Sequence, residues 1–341
     1  MKTHEFTRLN GFQTRAATLD DLDIVVDLSN AAAIADTGLK STTREEKLTE
    51  WTSPQFNLPI DTELVFASDG QLAGCAQLWD GEPHVRLYFG GRVHPDYRGQ
   101  GIGSYLVDWA ERRARQSLPQ APPETRVSLH TSTPHEVKAA RQLFEKQGFE
   151  PSRHFFRMLI EMEHGTPPPP ATAEGVIVRP FALGEDDRAA HKTIVEAFKD
   201  HWGHVEGESF EEWMHWIEMD STFDAATCFV AETNSAESKE IVGAIMTHPN
   251  YEGDSSIAWV DELGVLRRWR KKGIALALLH AVFGEYYRRG KYRVGLGVDG
   301  QSLTGALRLY EKAGMHIFQQ SDAYQKILRA GQDISTQSVV D

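Results

Sequence analysis

The chain has 341 residues, 40% of them hydrophobic and 25% charged, which suits two medium-sized domains that each bury a core. Its 36 basic and 49 acidic residues give a formal net charge of −13, which argues against non-specific nucleic-acid binding, since phosphates need Lys and Arg to neutralise them. There is no run of 18 apolar residues and no apolar signal core from Met1 to Arg15, so the expectation is a cytoplasmic protein with no membrane partner.

The first half reads as a strand over 14–16, then an acid-rich turn at Asp20 and Asp21 into a helix over 22–33. A β-rich stretch follows over 64–77, turning at Asp69-Gly70. A glycine-rich turn then opens a helix over 104–116, and an amphipathic helix from Ala140 ends at Gly148 before a strand. Four consecutive prolines within 165–171 fix φ and remove donors, so that stretch is an extended linker. The domains expected are therefore 1–163, a linker over 164–175, and 176–341.

The second half repeats the order. A strand over 177–180 precedes the acidic turn Glu185-Asp186-Asp187 and a helix over 189–198. A β-rich stretch covers 227–246, broken by a polar insert over 234–239. A helix follows Ala275, and another from Ala306 ends at Gly314 before a last strand. The tail over 330–341 is polar and expected to fray. Cys75 and Cys228 sit in apolar strand-like runs and read as small buried hydrophobes, with no disulfide or cysteine-rich metal site. Trp109, Phe283 and Tyr286 read as core.

The strongest correspondence is Val93-His94-Pro95-Asp96-Tyr97-Arg98-Gly99-Gln100-Gly101-Ile102-Gly103 against Val265-Leu266-Arg267-Arg268-Trp269-Arg270-Lys271-Lys272-Gly273-Ile274-Ala275. The shared pattern is Arg-x-x-Gly-x-Gly/Ala between a strand and a helix. Small residues let the backbone approach a phosphate, and the unpaired amides and dipole of the helix start cradle it. The arginines, with Lys271 and Lys272, add positive charge. No Gly-Lys-Ser/Thr follows, and the glycine spacing does not match a dinucleotide fingerprint.

On these residues the chain resembles the GNAT superfamily of acyl-CoA N-acyltransferases, as two tandem copies over nearly its whole length. The layout is similar to that of two-domain acetyltransferases of the mycothiol synthase type. The segment over 296–315, with Leu309-Tyr310 and Gly314-Met315, is similar to the family's later strand and helix. The fold implied is α/β (α+β): two tandem GNAT-like domains, each a mixed, splayed central sheet flanked by helices. The resemblance implies acetyl-CoA as acyl donor and no metal. It places Leu263, Gly264 and Val265 on a splayed strand facing pantetheine. It places the diphosphate on Arg270, Lys271, Lys272, Gly273, Ile274 and Ala275, and in the first copy on Val93, Arg98, Gly99, Gln100, Gly101, Ile102 and Gly103. Ser302 stands where the family often has a CoA-contacting asparagine. Tyr310 matches the tyrosine that protonates the departing thiolate. The first copy has Phe144 there, which has no proton to give, so that half is expected to bind cofactor or serve structurally without catalysis.

The reaction expected is direct attack of a small-molecule primary amine on the thioester. A backbone amide, with Val265 the candidate, would receive the oxyanion. A carboxylate would take the amine proton, Glu262 first and Asp261 second; strand alternation turns the two to opposite faces. A solvated carboxylate at a strand start is the other reading of both. Residues 198–213 mix aromatic and acidic side chains, including Trp202, Glu206, Glu208 and Trp213. Either they form a pocket for an ammonium group, or Trp213, Trp216 and Ile217 pack a helix while the acids face water. His201, His204 and His215 lack metal spacing. The alternatives are a non-catalytic acyl-CoA-binding or sensing protein with both halves degenerate, which Tyr310 argues against, and a peptide or protein N-acetyltransferase. A monomer or homodimer is expected.

Overall fold

The computed structural model describes residues 9–162, 167, 169, 175–205, 209–234 and 239–338. The expected linker, apart from Pro167, Pro169 and Gly175, lies outside the described residues, as do most of the insert after Asn234 and the acids Glu206 and Glu208.

In chain order the elements are β1 (Gln13–Arg15), α1 (Leu22–Thr37), α2 (Arg44–Trp51), α3 (Leu58–Asp61), β2 (Thr62–Phe66), β3 (Leu72–Trp79) and β4 (Arg86–Val93). Then come α4 (Ile102–Gln116), β5 (Val127–Pro134), α5 (Lys138–Lys146) and β6 (Glu150–Glu161). The second half holds β7 (Val176–Pro180), α6 (Asp187–Phe198), α7 (Phe210–Met219), β8 (Phe229–Thr233), β9 (Ile241–His248) and β10 (Ile257–Val265). It closes with α8 (Ile274–Arg288), β11 (Arg293–Asp299), α9 (Ala306–Lys312) and β12 (His316–Arg329). The fold is α/β, with mixed sheets flanked by helices.

Two compact units form, and they differ from the division expected at the proline stretch. One contains the described residues up to Arg153 together with Ser321–Ile334; the other contains His154–Gln320 and the tail from Ser335. The final strands are therefore exchanged. In the first unit β5 pairs antiparallel with β12 from the end of the chain, Ser321 opposite Pro134. In the second, β11 pairs with β6 from mid-chain, Asp299 opposite Phe155. A strand's apolar pattern shows that it must cover an edge but not which of two similar edges.

The second unit shows why its strands are apolar without strict alternation. Cys228, just before β8, and Val230 of β8 face α6 and α7, packing with Phe181, Ile194 and Trp213. Phe229 and Ala231 face α8, packing with Ile274, Leu278 and Phe283. Both faces are buried, so every position favours a hydrophobe. Phe283 and Tyr286 are core as expected, and both cysteines are buried and unpaired. In the first unit, Leu22, Val25 and Leu28 of α1 pack on Trp51, Phe56 and Leu64.

The arginine of each opening strand is explained by an ion pair. Arg15 donates to both oxygens of Asp21 at 2.7 and 2.6 Å, and Arg179 to both oxygens of Asp186 at 2.6 and 3.0 Å. The hydrogen bond from Arg15 holds the Asp21 carboxyl down at about 2. These acids thus tie strand to helix as well as meeting the helix dipole.

The tail is not frayed through its described length. Gln332 N–H donates to Glu124 O at 2.8 Å, and Gly203 N–H donates to Thr336 O at 2.7 Å.

Candidate active site

Each Arg-x-x-Gly turn forms a concave run of amides. In the second unit Lys271 and Gly273 take positive φ of 63° and 83°, with Lys272 between them. In the first, Gly99 and Gly101 do the same at 78° and 87°. Alternating left-handed residues turn successive N–H groups to one side, a nest for an anion. The first intrahelical bonds are Ala277 N–H to Gly273 O and Tyr105 N–H to Gly101 O, each 3.0 Å. The amides before them have no acceptor within the helix. A glycine inside the neighbouring strand lets each helix start close. A Cβ at Gly74 would lie 2.6 Å from Ile102 Cγ2, and one at Gly243 would lie 3.2 Å from Ile274 Cγ2. These two strand glycines are a sequence signal that went unread.

Lys271 occupies a left-handed position that its counterpart Gly99 takes without strain. Lys271→Gly is expected to stabilise the fold by about 0.5–1 kcal/mol, net of the extra chain entropy of glycine. It should also raise the KM for acetyl-CoA several-fold through the lost charge. Thermal unfolding and steady-state kinetics check both.

The arginines differ from expectation. Arg98 donates to both oxygens of Asp36 at 2.8 and 3.1 Å and to Ala32 O at 3.4 Å. Arg270 donates to Val265 O at 3.1 Å, to Ala197 O at 3.0 Å and to Asp200, which Arg267 also contacts. In both copies the guanidinium ties the turn to the C-terminal end of the first long helix of its unit, α1 or α6. Lys272 Nζ lies 4.3 Å from the Trp269 ring centroid, a cation–π contact.

Each turn follows a strand that parts from its parallel neighbour. β10 pairs with β11 from Ile257–Arg293 to Val260–Leu296 only, and β4 with β5 from Arg86–Ser128 to Tyr88–His130 only. Leu266 N–H donates to Val242 O at 2.9 Å, toward β9. Amide directions alternate along a strand, so the N–H groups of Val265 and Leu263 point to the parted side. Gly264 instead presses on α6, a Cβ there lying 3.2 Å from Ile194 Cα.

β10 carries a bulge at Asp261, between the pairs Val260–Thr247 and Glu262–Met246. The alternation expected for Asp261 and Glu262 therefore breaks there. Asp261 turns to His248, which also meets Asp220 at 2.9 Å. Burial would lower the His248 pKa, but the hydrogen bonds to Asp220 and Asp261 outweigh it and raise it to about 10. Glu262 stands otherwise. Its Oε2 accepts from the Trp213 indole N–H at 2.9 Å, and loss of water around it pushes the carboxyl up to about 7, the neighbouring Asp261 charge adding to the rise. Glu262 thus gains and loses a proton near neutral pH, whereas Asp261 is held in an ion pair.

Tyr310 of α9 is buried in the core that holds Val265, Ile274 and Leu278, and burial pushes its phenol up to about 12. Ser302 accepts weakly from Thr304 N–H and Ala306 N–H at 3.4 and 3.5 Å, helping to cap α9. In the first unit Phe144 packs against Phe149 and Tyr324. Matching the sheet registers puts Gly90, opposite Gln77, where the second unit has Glu262 opposite Met246. That half therefore lacks both a carboxylate and a phenol at these places.

The stretch over 198–213 divides between the two readings. Asp200 is buried between Arg267 and Arg270. His201 stacks on Phe198 at 4.2 Å, and burial lowers the pKa of His201 and His204. Trp213 is core and yet holds Glu262. Among the described residues no group of His, Cys, Asp and Glu could hold a metal ion, and no helix is long and apolar enough to cross a membrane.

Comparison with known proteins adds to this geometry. A profile of the acetyltransferase (GNAT) domain matches residues 61–151, and one of the acetyltransferase (GNAT) family matches residues 188–315. A mycothiol acetyltransferase of Thermobispora bispora is 30% identical over 302 residues, covering 87% of this chain and 93% of that protein. One from Salinispora arenicola is 30% identical over 324 residues, covering 92% and 96%. A crystal structure of a GCN5-related N-acetyltransferase from Sphaerobacter thermophilus superposes with a TM-score of 0.78 at 34% identity, covering 97% of this chain and all of that one. A tandem GNAT protein from the clavulanic acid biosynthesis pathway shares the fold, with a TM-score of 0.65 at 14% identity, covering 94% of this chain and all of that one.

Proposed function

This chain belongs to the GNAT family and is an N-acetyltransferase, and on that basis we propose that its second unit transfers acetyl from acetyl-CoA to a primary amine of a small molecule by direct attack. The observation that carries the reading is Glu262: a carboxyl near pH 7 on a parted strand, three residues before the candidate oxyanion amide of Val265. A group with that pKa is matched to taking a proton from an ammonium or amine at neutral pH. The nest over Lys271–Ala275 would hold the diphosphate, the parted edge at Leu263 and Val265 would face pantetheine, and Tyr310 would return a proton to the leaving sulfur. Among the described residues beside Glu262, the carboxylates Asp220 and Asp261 share the His248 imidazolium, so the local field favours a positively charged acceptor.

The first unit is proposed to bind acetyl-CoA or to act structurally without catalysis, since Gly90 and Phe144 offer neither base nor acid. Relatives named for mycothiol support a small molecule over a peptide as acceptor. Thiol release from acetyl-CoA across a panel of small primary amines and unstructured peptides tests this. Turnover with small amines alone is expected. Turnover with peptides alone would move the substrate class, and none at all would favour a binding or sensing protein.

A further inference from the structure

We propose that Trp213 is a positioning residue for acyl transfer, its indole N–H holding the Glu262 carboxylate in the orientation that receives the amine proton. The inference rests on Glu262 being the base. The contact is 2.9 Å from Trp213 Nε1 to Glu262 Oε2, between residues 49 apart in sequence. Indole is a donor only, so it occupies a lone pair of Oε2 and leaves Oε1 as the oxygen that forms the new O–H bond when the amine N–H bond breaks.

The donor is itself held in place. α7 begins with a reciprocal capping box: Ser209 Oγ accepts from Glu212 N–H at 3.2 Å, and Glu212 Oε2 accepts from Ser209 N–H at 3.4 Å. That fixes the helix start at Phe210, three residues before Trp213. The indole is buried and edged by Phe181, His191 and Phe210, with ring centroids 6.4, 5.6 and 6.3 Å away. Beyond the other end of α7, Asp220 meets His248, which meets Asp261 in the bulge beside Glu262. The helix is thus capped at its start and fastened through His248 to the catalytic strand beyond its end, and the side chain between reaches the carboxylate.

The charged groups around Glu262 are Asp261 on its own strand, His248 on β9 and Asp220 at the end of α7; none is altered by changing Trp213. A hydrogen bond to an ionised acceptor favours the charged form, so its removal raises the carboxyl pKa. Two replacements test this: Trp213→Phe, and 3-benzothienylalanine at 213, which keeps the ring shape and puts sulfur in place of N–H. The acid limb of kcat/KM for the amine should move up by about one pH unit in both, with the plateau about tenfold lower and the KM for acetyl-CoA unchanged. A merely structural tryptophan would leave the benzothienyl protein with the parent limb and plateau, and that result overturns the proposal. Glu262→Gln separates the two claims. If it retains parental activity, the reading of the base falls and the positioning role falls with it. If it is inactive while the limb stays put in the 213 replacements, only the positioning role falls.

Discussion

Glu262→Gln is expected to lower kcat/KM for the amine by at least about 10²-fold and, at pH 8, to raise the thermal midpoint of the protein. The two effects have one cause. The folded carboxyl titrates at about 7 against 4.5 when free, so the native state holds this proton more tightly than the unfolded chain. The stability linked to that proton is complete below pH 4.5 and is lost as the pH rises through 7. Above pH 7 the fold carries a crowded anion, and a neutral amide removes that cost. Its carbonyl can still accept the Trp213 N–H. With the site partly open to solvent, the gain should be on the order of 1 kcal/mol. Differential scanning calorimetry at pH 5 and pH 8 checks the sign: the variant should gain at pH 8 and gain little at pH 5. Loss of stability at both would mean that Glu262 is a structural acid.

Tyr310→Phe is expected to lower kcat by about 10²-fold while leaving the KM for acetyl-CoA within about twofold, as for a group that acts only in the transition state. Burial alone raises the phenol to about 12, so it keeps its proton at every working pH and should add no basic limb below that value. A thiolate formed against the same apolar wall is destabilised by the same desolvation, which makes it a stronger base and a better match for this acid. Stability should change little, because the variant deletes a hydroxyl from a site that remains packed. The reciprocal change Phe144→Tyr should add no activity, since Gly90 stands at the carboxylate position. Steady-state kinetics on the two variants measure both claims, and an unchanged kcat in Tyr310→Phe would remove the acid.

Much of this was legible in the residue order. The two turns around Arg98 and Arg270 announced strand, nest and helix, because small residues at fixed spacing have few other uses there. Tyr310 and Phe144 could be told apart by position alone. Contacts between distant segments were not legible. Trp213 meets Glu262 and Asp220 meets His248 through tertiary packing, and a one-residue bulge at Asp261 undid the alternation rule locally. The arginines of the turns carried a charge whose direction only the helix ends at Asp36 and Asp200 decided. The exchange of β6 and β12 was hidden because their patterns specify a buried edge strand without naming its neighbour. Gly74 and Gly243 were visible in the strands and could have marked the close approach of α4 and α8.

The central claim is that acetyl transfer depends on the amide nest at the start of α8. Free CoA and N-acetylated amine, followed together by mass spectrometry, test it in the parent protein and in Gly273→Val, where a β-branched residue is forced to a φ of 83°. The account predicts equal amounts of both products from the parent and neither from the variant, with circular dichroism unchanged. Undiminished formation of both products by Gly273→Val would contradict it.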